Sequence, residues 1–229
     1  MTIKTVIFDL DGTIASFNTD YTAIRTEVRN LLMNIGLPDL ILPTKGSIFE
    51  MLDKAEIYLK SKDTPEEEIG NTRKKALAIA EKYELEAAKT TSLLSGVIET
   101  LESVKEMHMK IGLCTINSET STYHILERFG IKDFFDAVVP RNKVTRVKPN
   151  IEHLETALKA LGSDPFESIF VGDSVRDMQC ARELGVIAVG LPTGFSTQKE
   201  LITAGANYFM TSITDLPTLI NAINEASKS

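Results

Sequence analysis

Residues 4–17 read KTVIFDLDGTIASF. Thr5–Phe8 is short, β-branched and aromatic, the composition of a buried strand, and it runs into turn chemistry. Asp9 and Asp11 follow, with Gly12 and Thr13 behind them. Burying one carboxylate at a strand end is costly, and a second acid beside it adds repulsion. Such a pair calls for a cation or a proton. Residues two apart point the same way along extended backbone, so both acids can face one ligand. Gly12 then allows the chain to turn sharply.

The chain has 229 residues, enough for one large domain or one domain with a sizeable insertion. Its 43% hydrophobic and 25% charged content are those of a soluble globular protein. A formal net charge of -7 disfavours nucleic acid and anionic membrane as partners. The one basic run, RNKVTRVK at 141–148, is too short to reverse that. No stretch approaches about 18 uninterrupted apolar residues, and no signal-peptide pattern opens the chain. A cytoplasmic location is expected. Cys114 and Cys180 lie far apart in apolar contexts and form no CxxC pair, so both are expected to be reduced core residues.

After the first strand the chain turns helical. Ile24, Val28, Leu31, Leu32 and Ile35 share one helical face that stops at Gly36. A second helix is predicted from Ser47 to about Lys60. A third opens on a capping box with Thr64 as N-cap, Pro65 at the first helical position and Glu67 after it. Ile69, Leu77 and Ile79 of that helix are expected to face a packing partner. From about Leu94 the pattern becomes strand–helix alternation: strands KIGLCT (110–115), DAVV (136–139), SIFVGD (168–173) and VIAVG (186–190), with helices between them. This rhythm predicts an α/β fold with a parallel sheet and right-handed crossovers. The simplest architecture is an α/β core at 1–15 and 93–229, interrupted after its first strand by a helical insert at 16–92.

Four stretches fall at the C-terminal ends of predicted strands or in a late loop, where open α/β sheets bind ligands: DLDGT (9–13), CTINS (114–118), RVKP (146–149) and GDSVRD (172–177). They supply four carboxylates, one lysine and a hydroxyl. Hard oxygen ligands suit Mg²⁺, while a lysine and a threonine hydroxyl suit phosphate oxygens. With these motifs in order, the sequence resembles the haloacid-dehalogenase-like superfamily of phosphohydrolases, and within it the phosphoglycolate-phosphatase-like members with a helical C1-type cap. That resemblance covers residues 5–14 and about 95–195. It implies a Rossmann-like core with a cap domain inserted after the first strand.

By the resemblance, Asp9 is the nucleophile that forms an aspartyl-phosphate, and Asp11 protonates the leaving oxygen and then activates water. The Asp9 carboxylate, the Asp11 backbone carbonyl and Asp173 would hold Mg²⁺, with Asp177 behind them orienting its waters or Lys148. Thr115 and Lys148 would grip the phosphate, with Asn117 as a further phosphate contact. Ile116 after Thr115, Ser95-Gly96 before the first core helix and Asn150 after the lysine-proline pair depart from the family pattern, and none removes a catalytic group. On the insert, Arg25 is a candidate for the distal group of a substrate.

Each residue also has a bland reading. Asp-Gly is a common turn dipeptide, Thr115 could cap a helix, Lys148 could be a solvated lysine, and Asp177 could serve a helix N-terminus. Arg25 could lie on a solvated helix face. His108, His124 and His153 match no motif and are expected on surfaces or helix faces. Arg141, Lys143 and Arg146 are expected in a solvated loop.

The implied function is a Mg²⁺-dependent phosphatase of a small phosphorylated metabolite, with phosphoglycolate foremost. A phosphomutase of the β-phosphoglucomutase kind is the nearest rival. A dehalogenase would not need Asp11 as an acid, and a phosphonate-cleaving enzyme would need a Schiff-base lysine from the insert. A non-catalytic binding or regulatory protein on the same fold is the rival from another class. Oligomeric state is not legible.

Overall fold

The computed structural model describes residues 2–226. They divide into two compact units, Thr19–Lys89 and the remainder of the described chain.

The larger unit is built on a parallel sheet of six strands, in spatial order β3-β2-β1-β4-β5-β6. The strands are β1 (Thr5–Phe8), β2 (Lys110–Thr115), β3 (Ala137–Pro140), β4 (Ser168–Gly172), β5 (Ile187–Gly190) and β6 (Tyr208–Phe209). β1 is central, and every one of its residues is buried. A strand covered on both faces reads as a continuous apolar run, which is why TVIF was recognisable. From β1 the chain builds β2 and β3 outward on one side and then crosses back to build β4, β5 and β6 on the other, so the order reverses beside β1. Open α/β sheets bind ligands at such a point.

Helices cover both faces. On one, α6 (Ile151–Leu161) packs on β2 and β3, and α7 (Val175–Leu184) packs on β4 and β5. Their apolar stripes, including Leu154, Leu158, Leu161, Met178 and Ala181, enclose Ile7, Cys114 and Phe170 from three successive strands. On the other, α4 (Val97–Glu106) packs on β2 and against α9 (Leu216–Ala226). α5 (Glu119–Arg128) follows β2, and α8 (Gln198–Ala204) packs on α7 and β5. Among the described residues no helix is long and apolar enough to cross a membrane.

The alternation predicted from the sequence ends at Gly190, and the structure continues past it through α8, β6 and α9. β6 is two residues long with Tyr208 41% exposed, too short and too open to show a period. α8 carries a Thr197–Glu200 capping box, and α9 buries Leu216, Ile220 and Ile223 at helical spacing.

The smaller unit contains α1 (Tyr21–Asn34), α2 (Ile48–Lys60) and most of α3 (Glu66–Thr90). Ile24, Val28 and Leu32 of α1 meet Met51, Leu52, Ala55 and Leu59 of α2 and Ile69, Ala76 and Ala80 of α3. Ser47 caps α2 by accepting from the Glu50 N–H. Ile35 departs from the predicted face: α1 ends before it, and the side chain is 43% exposed. The two connections to this unit pair with each other. The Ser16 N–H donates to the Ser92 carbonyl at 2.8 Å, Ala15 bridges Leu93, and Asn18 Nδ2 donates to Thr90 Oγ1 at 2.7 Å. This pairing keeps residues 15–18 and 90–93 with the sheet unit.

Ile7 sits at the centre of the core, fully buried between β2 and β4. Ile7→Ala is expected to cost about 2–5 kcal/mol of unfolding free energy, measured by urea denaturation with an unchanged m-value.

Candidate active site

Register places the first acid of the site. Phe8 pairs with Leu113 of β2 and with Val171 of β4. One residue on, Asp9 therefore lies level with Cys114 and Gly172, and the Asp9 N–H extends the ladder by donating to the Val171 carbonyl at 2.9 Å. Beyond Asp9 the chain folds back: the Gly12 N–H donates to the Ala15 carbonyl at 2.7 Å, with Gly12 at φ +78°. Left-handed backbone is cheap only for glycine. Steric space demands it as well, because a Cβ at Gly12 would lie 2.6 Å from Asp173 Oδ2.

Asp9, Asp173 and Asp177 form a buried cluster in which one carboxylate oxygen from each lies within 4.8 Å of the other two. Lys148 is inserted among them. Its Nζ lies 2.7 Å from Asp9 Oδ1, 2.7 Å from Asp177 Oδ1 and 2.8 Å from the Cys114 carbonyl. The lysine is 3% exposed, so these partners replace its water. Burial alone would lower its pKa, but Asp177 and Asp9 outweigh that and hold it above the usual lysine value. Lys148 is therefore a fixed cation.

The carboxylates move the other way. Burial pushes Asp9 above the usual carboxylate range, with Lys148 pulling it down and Asp177 pushing it up. Asp173 is raised by burial and then by the charges of Asp9 and Asp177. One lysine does not neutralise three acids.

Asp177 has two tasks. One oxygen, Oδ2, accepts from the Ser174 N–H at 3.1 Å and the Ser174 hydroxyl at 2.6 Å, while the Asp177 N–H returns to Ser174 Oγ in a capping box on α7. The other oxygen holds Lys148. The helix-capping and lysine-orienting readings of Asp177 are thus both realised by one carboxylate.

Thr115 ends β2, is 1% exposed, and its Oγ1 accepts from the Asn117 N–H at 3.2 Å. It does not cap α5; that role falls to Ser118, whose Oγ accepts from the Ser121 N–H. Asn117 reaches Asp11: its Nδ2 donates to Asp11 Oδ2 at 2.9 Å. Asp11 itself is half-buried. Arg25 belongs to the helical unit, where its Nη2 donates to the Thr44 carbonyl at 2.7 Å. The two cysteines are free and buried, and burial raises the Cys180 thiol to about 12 and the Cys114 thiol well above its ordinary value.

Two expectations are corrected. His153 is fully buried instead of lying on a surface. It sits in the first turn of α6, facing β3, where its ring bonds the Val139 carbonyl at 3.1 Å through Nε2 and accepts the Lys148 N–H at Nδ1, 3.4 Å away. It thereby fixes the backbone that carries the lysine. Arg141 is 5% exposed instead of solvated, because its guanidinium donates to the Ile116 carbonyl at 3.1 Å. Gly194 was also not legible. A Cβ there would come within 1.5 Å of Asp173 Oδ2, and the neighbouring Thr193 hydroxyl donates to the Gly12 carbonyl. No motif marks any of these three; only proximity does.

Residues 6–191 match the sequence model of one family, described as haloacid dehalogenase-like hydrolase. The chain belongs to that family. Among its relatives, a pyrophosphatase PpaX of Halalkalibacterium halodurans is 29% identical over 96% of this chain and 98% of its own length. A phosphoglycolate phosphatase of Agrobacterium fabrum is 25% identical over 83% of this chain and 81% of its own length. The crystal structure of a hydrolase from Pseudomonas syringae shares the fold with a TM-score of 0.66, at 21% identity over 96% of this chain and 99% of that one. In this haloacid dehalogenase-like hydrolase the acid cluster and Lys148 stand at the C-terminal ends of β1, β2 and β4.

Burial, then the Lys148 charge, drives the His153 pKa down from 6.5 to about 3. The folded protein excludes a proton that the unfolded chain accepts, so stability is fully present above about pH 6.5 and falls as pH drops towards 3. His153→Gln is expected to flatten that part of the urea-stability profile relative to wild type, while costing about 1–3 kcal/mol at pH 7.

Proposed function

We propose that the protein is a Mg²⁺-dependent phosphatase that hydrolyses a small phosphorylated metabolite through an aspartyl-phosphate on Asp9. The observation that carries this reading is the unbalanced cluster: three buried carboxylates around a single lysine at the sheet's switch point. The donors fit magnesium. They are hard oxygens, and since Asp177 is engaged with Lys148 and Ser174, Asp9 and Asp173 are the carboxylates left to face an ion, with the Asp11 carbonyl as their proposed companion. The bound ion would offset the negative charge and polarise the phosphoryl oxygens.

The chain's own residues supply the rest. An Asp9 oxygen attacks phosphorus while the bond to the leaving oxygen breaks, and Asp11 gives its proton to that oxygen. Asp11, now a carboxylate, takes a proton from water as the water oxygen attacks phosphorus and frees the Asp9 carboxylate. Asn117 holds Asp11 by one oxygen during both steps. Lys148, kept charged by its partners, screens the charge on the phosphoryl oxygens, and Thr115 contributes its hydroxyl.

The helical unit Thr19–Lys89 is read as the cap that selects the substrate, with Arg25 as a candidate contact for an anionic distal group. Phosphoglycolate is the leading substrate and inorganic pyrophosphate the next, in keeping with what the two relatives are named for.

Phosphate release from phosphoglycolate, pyrophosphate, sugar phosphates and nucleotides, with magnesium and with excess chelator, tests the reading. Turnover of at least one small ester is expected with magnesium and its loss with chelator. Asp9→Asn should lower turnover by about 1,000-fold or more in a protein that remains folded. Full turnover in that variant would refute the nucleophile, and phosphate moved between sugar hydroxyls without release would make the enzyme a mutase.

A further inference from the structure

The basic run 141–148 contributes only Lys148 to the reaction above, yet its first turn is bonded throughout to the phosphate-side loop. β3 ends at Pro140, paired with Thr115 at the end of β2. The chain then makes a 3₁₀ turn, Arg141–Lys143. Every residue of that turn contacts the segment Ile116–Glu119. The Arg141 N–H donates to the Asn117 carbonyl and its Nη1 to the Ile116 carbonyl, each at 3.1 Å. Asn142 Oδ1 accepts from the Glu119 N–H at 2.8 Å, and Lys143 Nζ pairs with Glu119 Oε1 at 2.9 Å.

Arg141 is the buried member, at 5% exposure. Placing a guanidinium inside is costly, and a surface loop has no need of it. Its effect on the loop follows from peptide geometry. In a planar trans peptide the carbonyl and the next N–H point in opposite directions. With the Ile116 carbonyl drawn to Arg141, the Asn117 N–H is turned the other way, and it lands on Thr115 Oγ1. With the Asn117 carbonyl also held by Arg141, the Asn117 side chain projects to Asp11 Oδ2. One arginine thus sets the orientation of the hydroxyl proposed to grip phosphate and of the carboxylate proposed to move the proton.

We infer that Arg141 is a positioning residue for phosphoryl transfer, acting through the Ile116–Asn117 peptide on Thr115 and Asp11. The inference rests on the phosphatase reading. It separates Arg141 from a merely structural residue through the leaving group. In the step that expels the leaving group an alkyl alcohol needs a proton from Asp11 and 4-nitrophenolate does not. The later action of Asp11 on water is common to both esters. Misplacing Asp11 therefore penalises kcat/KM, which reports the first step, far more for the alkyl ester.

The test compares wild type, Arg141→Met and Arg141→Lys on 4-nitrophenyl phosphate and on the best alkyl ester of the panel, with magnesium present. For Arg141→Met the kcat/KM on the alkyl ester should fall about 100-fold and that on the aryl ester about 10-fold or less. Arg141→Lys, which can still donate to the Ile116 carbonyl, should recover most of the alkyl activity. Equal losses on both esters, or wild-type rates in a folded Met variant, overturn the inference while leaving the phosphatase reading intact. Should Arg141→Met fail to fold, Arg141→Gln, which lacks the charge and the reach of the guanidinium, takes its place: a loss of kcat/KM biased towards the alkyl ester supports the inference, and an equal or absent loss overturns it. A folded wild type that hydrolyses neither ester removes the phosphatase reading and the inference together.

Discussion

A single buried ammonium holds the site in its shape. Lys148 bridges Asp9 at the end of β1 and Asp177 in the first turn of α7, and takes the Cys114 carbonyl at the end of β2 as its third partner. Without it, Asp9 and Asp177 would face each other in a region of low dielectric with nothing between them. Leaving a buried charge uncompensated costs about 3–5 kcal/mol, a large share of the stability of an ordinary domain. The lysine thus joins three elements of the sheet edge. It is itself positioned from behind by His153, which stays neutral because burial and the adjacent ammonium both oppose a second positive charge.

Glycine and helix capping make room for this arrangement. Asp173 is packed so closely that neither Gly12 nor Gly194 could carry a side chain, and Gly172 is pressed in the same way by Asp177. The capping box of α7 uses the oxygen of Asp177 that Lys148 does not. Parts that look structural, such as a helix cap, a tight turn and a buried histidine, therefore fix the acid cluster and its lysine. The activity proposed for the protein and the stability of its sheet edge draw on the same side chains.

Much of this was legible in the sequence, for identifiable reasons. β1, β2 and β4 are short apolar runs closed by turn residues, and each is followed by a motif whose spacing survives without knowledge of the fold. The helical insert announced itself through the apolar face of Ile24, Val28 and Leu32 and through the helical pattern from Ser47 to about Lys60. β6 left no trace because two residues at an exposed edge have no periodicity, whereas the Thr197–Glu200 box and the stripe of α9 carried signals of ordinary strength. Arg141 and His153 read as solvent-facing because an arginine is seldom buried without a partner and a histidine is buried only in some settings; what buries them is an available carbonyl on the neighbouring strand or loop, which the sequence does not mark.

The sequence by itself determined the chemistry of the four motifs, the parallel α/β class and the interruption after β1, since these rest on local pattern and spacing. Only the tertiary structure decided which groups meet: that Asp177 serves Lys148 as well as its helix, that Asn117 lies on Asp11, and that Arg141 and Gly194 belong to the site. The reason is that hydrogen bonds and desolvation act across a few ångströms of space between residues far apart in the chain, 139 positions for Asp9 and Lys148 and 181 for Gly12 and Thr193. Strand register sets those distances, and local spacing in the chain carries no record of it.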